Sequence, residues 1–309
     1  MKKNNCCSKN PVIKLPAGER LCKSHFTKYF EGKVFRTIRQ FNLIGKKERI
    51  VAALSGGKDS LTLLHILNKL SKQNPRIKVE AITIDEGIKG YREKTLKTAK
   101  KFCKKNKIKL NLFSFKKEFG LKLDNMIDVL NEKPCTVCGI LRRYLLNKKS
   151  KELGSTKLAT GHNLDDECQS IMMNQFKNNM QASARLGPIS GVNKNKKFVP
   201  RIKPLYLCTE KETAIYAYSN NLLDNFTECP NITESYRAEI RNMLNDFEQK
   251  FPGTKHSIIN SFLQILPELK SGFKEQGLNY CNICQEPASK GKCNACRLLD
   301  KIKKSKIDV

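Results

Sequence analysis

The chain has no run approaching the ~20 consecutive apolar residues that a membrane span requires, and its first ten residues, MKKNNCCSKN, lack the apolar stretch of a secretory signal. Both absences point to a cytoplasmic protein with no membrane partner. Acidic residues are scarce too: 29 stand against 59 Lys and Arg, a formal charge of +30. Such an excess repels itself unless a polyanion shares the surface, which favours nucleic acid. A bias towards lysine codons would give the same composition, so charge alone does not decide. The composition of a disordered chain is also missing, because 39% of the residues are hydrophobic and apolar segments recur throughout. At 309 residues the chain can bury a core, as two domains or as one enzyme domain with small appendages.

Cysteine is the residue present in excess. Thirteen cysteines, several in CxxC pairs, read as metal ligands in a compartment where thiols stay reduced. Between the cysteine-rich ends, β-prone runs alternate with helical patterns. Strands are expected at Arg49 to Leu54, Val79 to Ile84, Ile108 to Phe113 and Lys157 to Thr160. Helices are expected from Phe26 to about Asn42, through Leu61 to Leu67, from Tyr91 to Lys105, from Leu141 to Leu153 and from about Asp165. That order predicts an α/β fold with a mostly parallel sheet covered on both faces, whose ligand sits beyond the carboxyl ends of the strands. From Gly187 to Pro204 the chain reads as a polar, basic loop. Three further helices are expected at about Glu210 to Asn221, Ser235 to Phe251 and Ser257 to Leu269.

Ser55-Gly56-Gly57-Lys58-Asp59-Ser60 follows the first of these strands and opens a helix. Two glycines let backbone N–H groups approach an anion, the helix start adds its positive end, and Lys58 supplies a point charge. It fits neither GxxxxGK[ST] nor GxGxxG. SGGKDS resembles instead the loop of the PP-loop ATP pyrophosphatase superfamily, whose members adenylate a carbonyl oxygen and release pyrophosphate. Gly161-His162-Asn163-Leu164-Asp165-Asp166-Glu167 follows a later strand on the same sheet edge. Its acids suit Mg²⁺ or proton handling, and equally an ordinary helix start. GHNLDDE resembles the second motif of tRNA-modifying members, which implies a functional role for Asp166. Asp85, after the second strand, is a further candidate for nucleotide contact.

Cys135-Thr-Val-Cys138 precedes a helix, and Cys229-Pro230 lies far downstream. A lone CxxC suits a redox pair, half a zinc site or coincidence, whereas three thiolates on a [4Fe–4S] cluster would leave one iron without a protein ligand. PCTVCG, GHNLDDE and Glu228-Cys229-Pro230-Asn231 together resemble the tRNA 2-thiouridine synthetase branch. That resemblance spans nearly the whole chain and implies that Cys135, Cys138 and Cys229 hold such a cluster. Cys103, Cys168 and Cys208 read as ordinary thiols. Cys281-Asn-Ile-Cys284 and Cys293-Asn-Ala-Cys296 form a compact pair of CxxC units around Gly291, the spacing of a closed structural Zn²⁺ site. Cys22-Lys-Ser-His25 fits half of a second zinc site. Its other half is irregular, with Cys6 and Cys7 adjacent and Lys3 where the branch carries a cysteine.

The resemblance implies a Rossmann-like PP-loop sheet with zinc-binding appendages at both ends. The expected divisions are 1–27 (zinc finger-like), 28–272 (catalytic) and 273–309 (zinc ribbon and basic tail). It further implies ATP-dependent 2-thiolation of a tRNA uridine: Ser55 to Ser60, Asp85, Gly161 and Asp166 on Mg-ATP, adenylation of the C2 oxygen, then sulfur transfer through the cluster. A ubiquitin-like sulfur carrier and a homodimer are implied as well. Arg142, Arg143, Arg201 and Lys203 are candidates for RNA phosphate, although relatives often carry Lys where Arg142 stands. Rival readings are cytidine 2-thiolation, lysidine formation and a non-catalytic zinc-bearing RNA-binding protein. Enzymes of the wobble uridine and of the T-loop uridine share all these motifs, so the reading stops at a tRNA uridine.

Overall fold

The computed structural model describes residues 10–15, 18–130, 132–192, 198–223, 227–232, 236–273, 279–288 and 291–305. A short antiparallel hairpin of β1 (Pro11–Lys14) and β2 (Arg20–Cys22) leads into α1 (Lys23–Gln40). Phe26, Phe30, Val34 and Ile38 recur every four residues along α1, so one face is buried while the basic residues stay outside. Phe30 stacks on Tyr216 with ring centroids 4.6 Å apart, which ties α1 into the body of the protein.

The alternation expected from the sequence follows: β3 (Glu48–Ala53), α2 (Lys58–Gln73), β4 (Ile77–Asp85), α3 (Arg92–Asn106), β5 (Leu110–Ser114), then α4 (Phe115–Phe119), α5 (Leu123–Leu130) and α6 (Pro134–Glu152). After these come β6 (Lys157–Ala159), α7 (Leu164–Phe176), α8 (Met180–Ala184), β7 (Ile189–Ser190), β8 (Arg201–Ile202) and α9 (Glu210–Ser219). A single 3₁₀ turn at Pro230–Ile232 precedes α10 (Tyr236–Lys250) and α11 (Thr254–Gly272). The last described elements are a hairpin of β9 (Asn279–Tyr280) and β10 (Pro287–Ala288), and α12 (Asn294–Ser305).

Six strands form one sheet in the order β5-β4-β3-β6-β8-β7, parallel throughout except where β7 runs against β8. From β3 the chain winds outward through β4 and β5, then returns to lay β6 on the other side of β3. The loops after β3 and β6 therefore open at the point where the winding reverses, where open α/β sheets bind ligands. Side chains of β3 alternate as a sheet covered on both faces demands. Ile50 and Ala52 enter one hydrophobic cluster with Phe26, Leu64 and Tyr216, and Val51 enters a second with Val137, Leu141 and Leu158. A third cluster joins α7, α10 and α11 through Leu164, Ile240 and Phe262. No helix of the described residues is long and apolar enough to cross a membrane.

Two expectations are corrected. The Cys135–Cys138 pair does not precede its helix but forms the first turn of α6, which starts seven residues earlier than the apolar pattern alone suggests. Pro134 at the first helical position has a φ already set for a helix, and buried Val137 continues the stripe of Leu141 and Leu145 backwards. The segment from Gly187 to Pro204 is not all loop either. Its ends supply β7 and β8, and β8 takes a sheet position beside β6 with two residues, too few to leave a periodic signal.

Candidate functional site

Between β3 and α2 the chain turns through Ser55, Gly56 and Gly57. Gly56 has φ +92°, and a Cβ there would lie 2.2 Å from the Thr95 carbonyl oxygen, so only glycine fits. Gly57 caps α2 without a side-chain acceptor, leaving first-turn N–H groups directed at the sheet edge. Ser60 steadies the turn: its hydroxyl accepts from the Ser55 amide at 3.2 Å and donates to the Gly57 carbonyl at 2.9 Å. The Lys58 ammonium lies 2.8 Å from Glu210 Oε1 and 3.2 Å from Asp59 Oδ2. Burial works against its charge, but Asp59 and Glu210 outweigh burial and hold the ammonium above its ordinary range. Burial raises the Asp59 carboxyl despite Lys58 and the Asn163 amide, which donates to it at 3.1 Å.

Gly161 brings the second motif onto the first. A Cβ on Gly161 would meet the Asp59 carbonyl carbon at 2.9 Å and the Ser60 nitrogen at 3.0 Å, so the two loops touch backbone to backbone. Asn163 and Asp166 then make a reciprocal cap at the start of α7, each side chain accepting from the other's amide at 3.0 to 3.1 Å. The three acids of the motif have separate fates. Asp165 is buried against Lys255, and Glu167 is buried against Lys203. Among the described residues no ammonium pairs with Asp166; burial first, and the Asp59 charge second, push its carboxyl up to about 7. Lys203 is thus an internal counterion and not a surface contact for RNA, which corrects that expectation.

At the end of β4, Asp85 accepts from the Gly87 amide at 3.0 Å and lines a cavity of about 310 Å³ together with Arg92, Glu93, Lys122 and Asp124. Its neighbour Glu86, which the sequence does not single out, is buried at 4% exposure and holds Arg92 Nε at 2.8 Å. Arg92 is buried as well, and its guanidinium also donates to the Ser55 carbonyl at 2.6 Å and the Ile84 carbonyl at 3.0 Å. The other Glu86 oxygen faces Arg142 Nη1 at 3.6 Å. A continuous chain of charge therefore runs from the phosphate loop to the first turns of α6.

Cys135 and Cys138 project from those turns, and the Cys229-Pro230 corner packs beside them. The Cys135 thiol donates to the Asn231 carbonyl at 3.2 Å. The three sulfurs lie near enough to influence one another: burial pushes Cys138 up to about 12, with Cys229 and Cys135 adding to it and Arg142 opposing it. Burial likewise raises Cys229. They are not packed as ligands of a single ion. Among the described residues, the one group of three or more potential ligands whose atoms all lie within 4.8 Å of one another is Cys281, Cys284, Cys293 and Cys296. A wider triad of thiols from two elements, beside a guanidinium and a helix start, fits a multi-iron cluster with thiolate ligands.

The four-cysteine group fits a single Zn²⁺. Cys284 and Cys293 sulfurs lie 3.7 Å apart, close to the roughly 3.8 Å edge of a tetrahedron with Zn–S bonds of about 2.3 Å. Burial raises the Cys281 thiol, but backbone N–H groups of Cys293, Cys284 and Ile283 overcome it and bring the thiol down to about 6. At the other end Cys22 Sγ and His25 Nδ1 lie 3.2 Å apart, while Cys6 and Cys7 lie outside the described residues. Cys103, Cys168 and Cys208 are buried in the hydrophobic clusters.

The PP-loop domain family matches residues 30–247 of the chain. The tRNA 2-thiolation protein NcsA of Haloferax volcanii is 36% identical over 313 residues, covering 96% of this chain and 98% of the relative. The tRNA-5-methyluridine(54) 2-sulfurtransferase of Pyrococcus horikoshii is 36% identical over 292 residues, covering 94% of this chain and 91% of the relative. Among solved structures, the U34-tRNA thiolase NcsA from Methanococcus maripaludis, described with its [4Fe–4S] cluster, superposes with a TM-score of 0.81 at 32% identity, covering 98% of this chain and 96% of the other.

Proposed function

The chain belongs to the PP-loop family that includes the tRNA 2-thiolation proteins, and from that premise we propose that it is an ATP-dependent tRNA uridine 2-sulfurtransferase. The observation that carries this reading is the approach of three groups: the Ser55–Ser60 loop, the Asp166 carboxylate set against it through Gly161, and the Cys135/Cys138/Cys229 triad joined to the loop through Arg92, Glu86 and Arg142. ATP seats its phosphates on the N–H groups of Gly56 to Ser60, with Lys58 exchanging Glu210 for phosphate oxygen. Asp59 and Asp166 would hold a Mg²⁺, since two carboxylates crowded beside a polyphosphate require a cation. The C2 oxygen of the uridine attacks the α-phosphate, the bond to the β-phosphate oxygen breaks, and pyrophosphate departs.

The adenylated base is electrophilic at C2. Sulfur replaces the activated oxygen there, and AMP leaves with the bonding pair. When bound to Cys135, Cys138 and Cys229, a [4Fe–4S] cluster supplies an iron without a protein thiolate, able to present sulfur. Arg142, beside Cys138, keeps its positive charge throughout, so its part is to hold anions and not to move a proton. Zn²⁺ on Cys281, Cys284, Cys293 and Cys296 would be structural. A second Zn²⁺ on Cys6, Cys7, Cys22 and His25, a ubiquitin-like sulfur carrier, a homodimer and work in the cytoplasm complete the reading. So does the three-part division at residues 27 and 272.

The test is oxygen-free incubation of the purified protein with ATP, sulfide and tRNA, reading pyrophosphate release and the nucleosides by mass spectrometry. Pyrophosphate release that depends on tRNA, with 2-thiouridine formed, is the expected outcome. Loss of thiolation in Cys229→Ala with the fold retained is expected alongside it. Thiolated cytidine, or no pyrophosphate with an intact loop, would overturn the assignment. The relatives are named for uridine 34 and for 5-methyluridine 54, and mapping the thiolated position assigns the target.

A further inference from the structure

Four arginines from three elements converge on one cleft, and their surroundings do not neutralise them. Arg142 and Arg143 come from α6 and Arg201 from β8. Arg237 comes from α10 and bonds across to α7, its Nη1 3.1 Å from Gln169 Oε1 and 3.5 Å from the Asp166 carbonyl, its Nη2 3.1 Å from Ser170 Oγ. Among the described residues, the only carboxylate in an ion pair with any of the four is Glu86, at 3.6 Å from Arg142 and already occupied by Arg92; the Asp166 carboxyl also feels the charge of Arg237. Arg201 Nε is buried and has no hydrogen-bond partner, an arrangement that is costly unless something supplies an acceptor.

The mutual effects agree with crowding. Burial first, then Arg143 and Arg142, lower Arg201 to about 10. The protein atoms crowded around its guanidinium, then Arg142 and Arg237, lower Arg143, although its side chain stays solvent-accessible. His162, solvent-accessible yet ringed by protein atoms, is held well below its ordinary range by that crowding first and then by Lys203, Arg201, Arg237 and Arg142.

We propose that Arg142, Arg143, Arg201 and Arg237 form a cradle for RNA backbone phosphate, seating the target nucleotide so that its base enters between Asp166 and Cys138. Guanidinium forks pair phosphate oxygens bidentately, and four of them beside only two carboxyls, Glu86 and Asp166, suit an acceptor-only ligand carrying several charges. Position favours RNA: Arg237 borders the Asp166 side, Arg142 borders the Cys138 side, and the base must reach both. Phosphate contacts fix register without reading sequence, so the cradle orients the substrate and leaves the identity of the uridine to other surfaces.

This inference rests on tRNA being the substrate, and the experiment separates the two. Binding of tRNA is measured by fluorescence anisotropy across a salt series for the full-length protein and for Arg143→Ala, Arg201→Gln and Arg201→Lys, with an ATP analogue titrated in parallel. Arg143→Ala and Arg201→Gln are expected to weaken tRNA binding about tenfold and to flatten the salt slope by about one per lost contact, with analogue affinity unchanged. Arg201→Lys keeps the charge and loses the fork, so it should restore much of the affinity and little of the thiolation rate.

Arg143 is exposed, so its variant carries the test should the Arg201 variants misfold. Wild-type affinity and slope in Arg143→Ala and Arg201→Gln would overturn the cradle. So would an effect confined to thiolation driven by an acidic protein sulfur donor, which would reassign the cleft to that protein. If the wild type makes no thiolated nucleoside while the variants still lose RNA affinity, the enzymatic reading fails and the cradle stands.

Discussion

Glu86 and Arg92 form a buried ion pair, Oε2 to Nε 2.8 Å, at the end of β4. Arg92 spends its other donors on the Ser55 and Ile84 carbonyls, and Glu86 turns its free oxygen to Arg142. The nucleotide loop and the cysteine helix thereby share one carboxylate.

Removing that carboxylate should be felt on both sides. Glu86→Ala leaves Arg92 charged and buried without its partner, a loss on the order of 3–5 kcal/mol that thermal melting would register. Glu86→Gln keeps an acceptor for Arg92 but frees Arg142. Thiolation is expected to fall about tenfold while affinity for an ATP analogue changes little; an unchanged thiolation rate would remove Glu86 from the positioning of Arg142.

Asp166 links stability to pH. Its folded-state carboxyl titrates near 7, above the ordinary value of 3.8, so the folded protein holds a proton that the unfolded chain has released. That contribution is fully present below about pH 4 and is lost as pH rises through 7. Asp166→Asn can still accept from the Asn163 amide. It should raise the melting temperature at pH 8, by a few kcal/mol of stability at most, and leave it nearly unchanged at pH 4, because each tenfold change in proton affinity on folding is worth about 1.4 kcal/mol. The same variant should abolish pyrophosphate release. Melts at the two pH values with equal changes would count against the assignment.

Gly161→Ala tests whether the two loops must touch. Its methyl group would collide with the Asp59 and Ser60 backbone at about 3 Å, so the phosphate loop must shift. Affinity for ATP should drop about tenfold or more while the iron content is unchanged, as measured by titration and metal analysis. Normal ATP affinity would mean that the loop tolerates displacement.

The four-cysteine unit should support the triad from a distance. Cys281, Cys293, Cys296, Leu298 and Ile302 are buried in the same cluster as Val137 and Leu141 of α6. Cys293→Ser, or strong chelation of zinc, is expected to lower thermal stability and also to lower iron and sulfide content in protein prepared without oxygen. Loss of zinc with iron and melting temperature intact would show that the unit merely decorates α6.

The parts legible in the sequence are those with strong periodic or local signals. The strand, turn and helix around Ser55 to Ser60 and the buried stripe of α1 could be read directly, because runs of six to eighteen residues carry a period. The Cys281 to Cys296 set could be read because its four ligands are close in the chain. What could not be read depends on tertiary partners. Asp165, Asp166 and Glu167 are three adjacent acids, and only Lys255 and Lys203, distant in sequence, reveal which one faces the cleft. Glu86 stands beside Asp85 with nothing local to prefer it, and Arg237 opens a helix whose pattern speaks only of its apolar face. The two residues of β8 are too short for any pattern, yet they bring Arg201 to the cleft.

The pairing of Lys58 with Glu210 makes the phosphate loop an exchanger. Any anion that takes Lys58 does so against an internal competitor tethered to α9, and gains only the difference between two ion pairs. A small anion offering one contact wins little by that trade, whereas a triphosphate engaging several loop amides together tips it. The loop is thereby expected to favour nucleotide over orthophosphate with the same lysine, a selectivity that would arise from rivalry within the protein and not from the shape of the cavity.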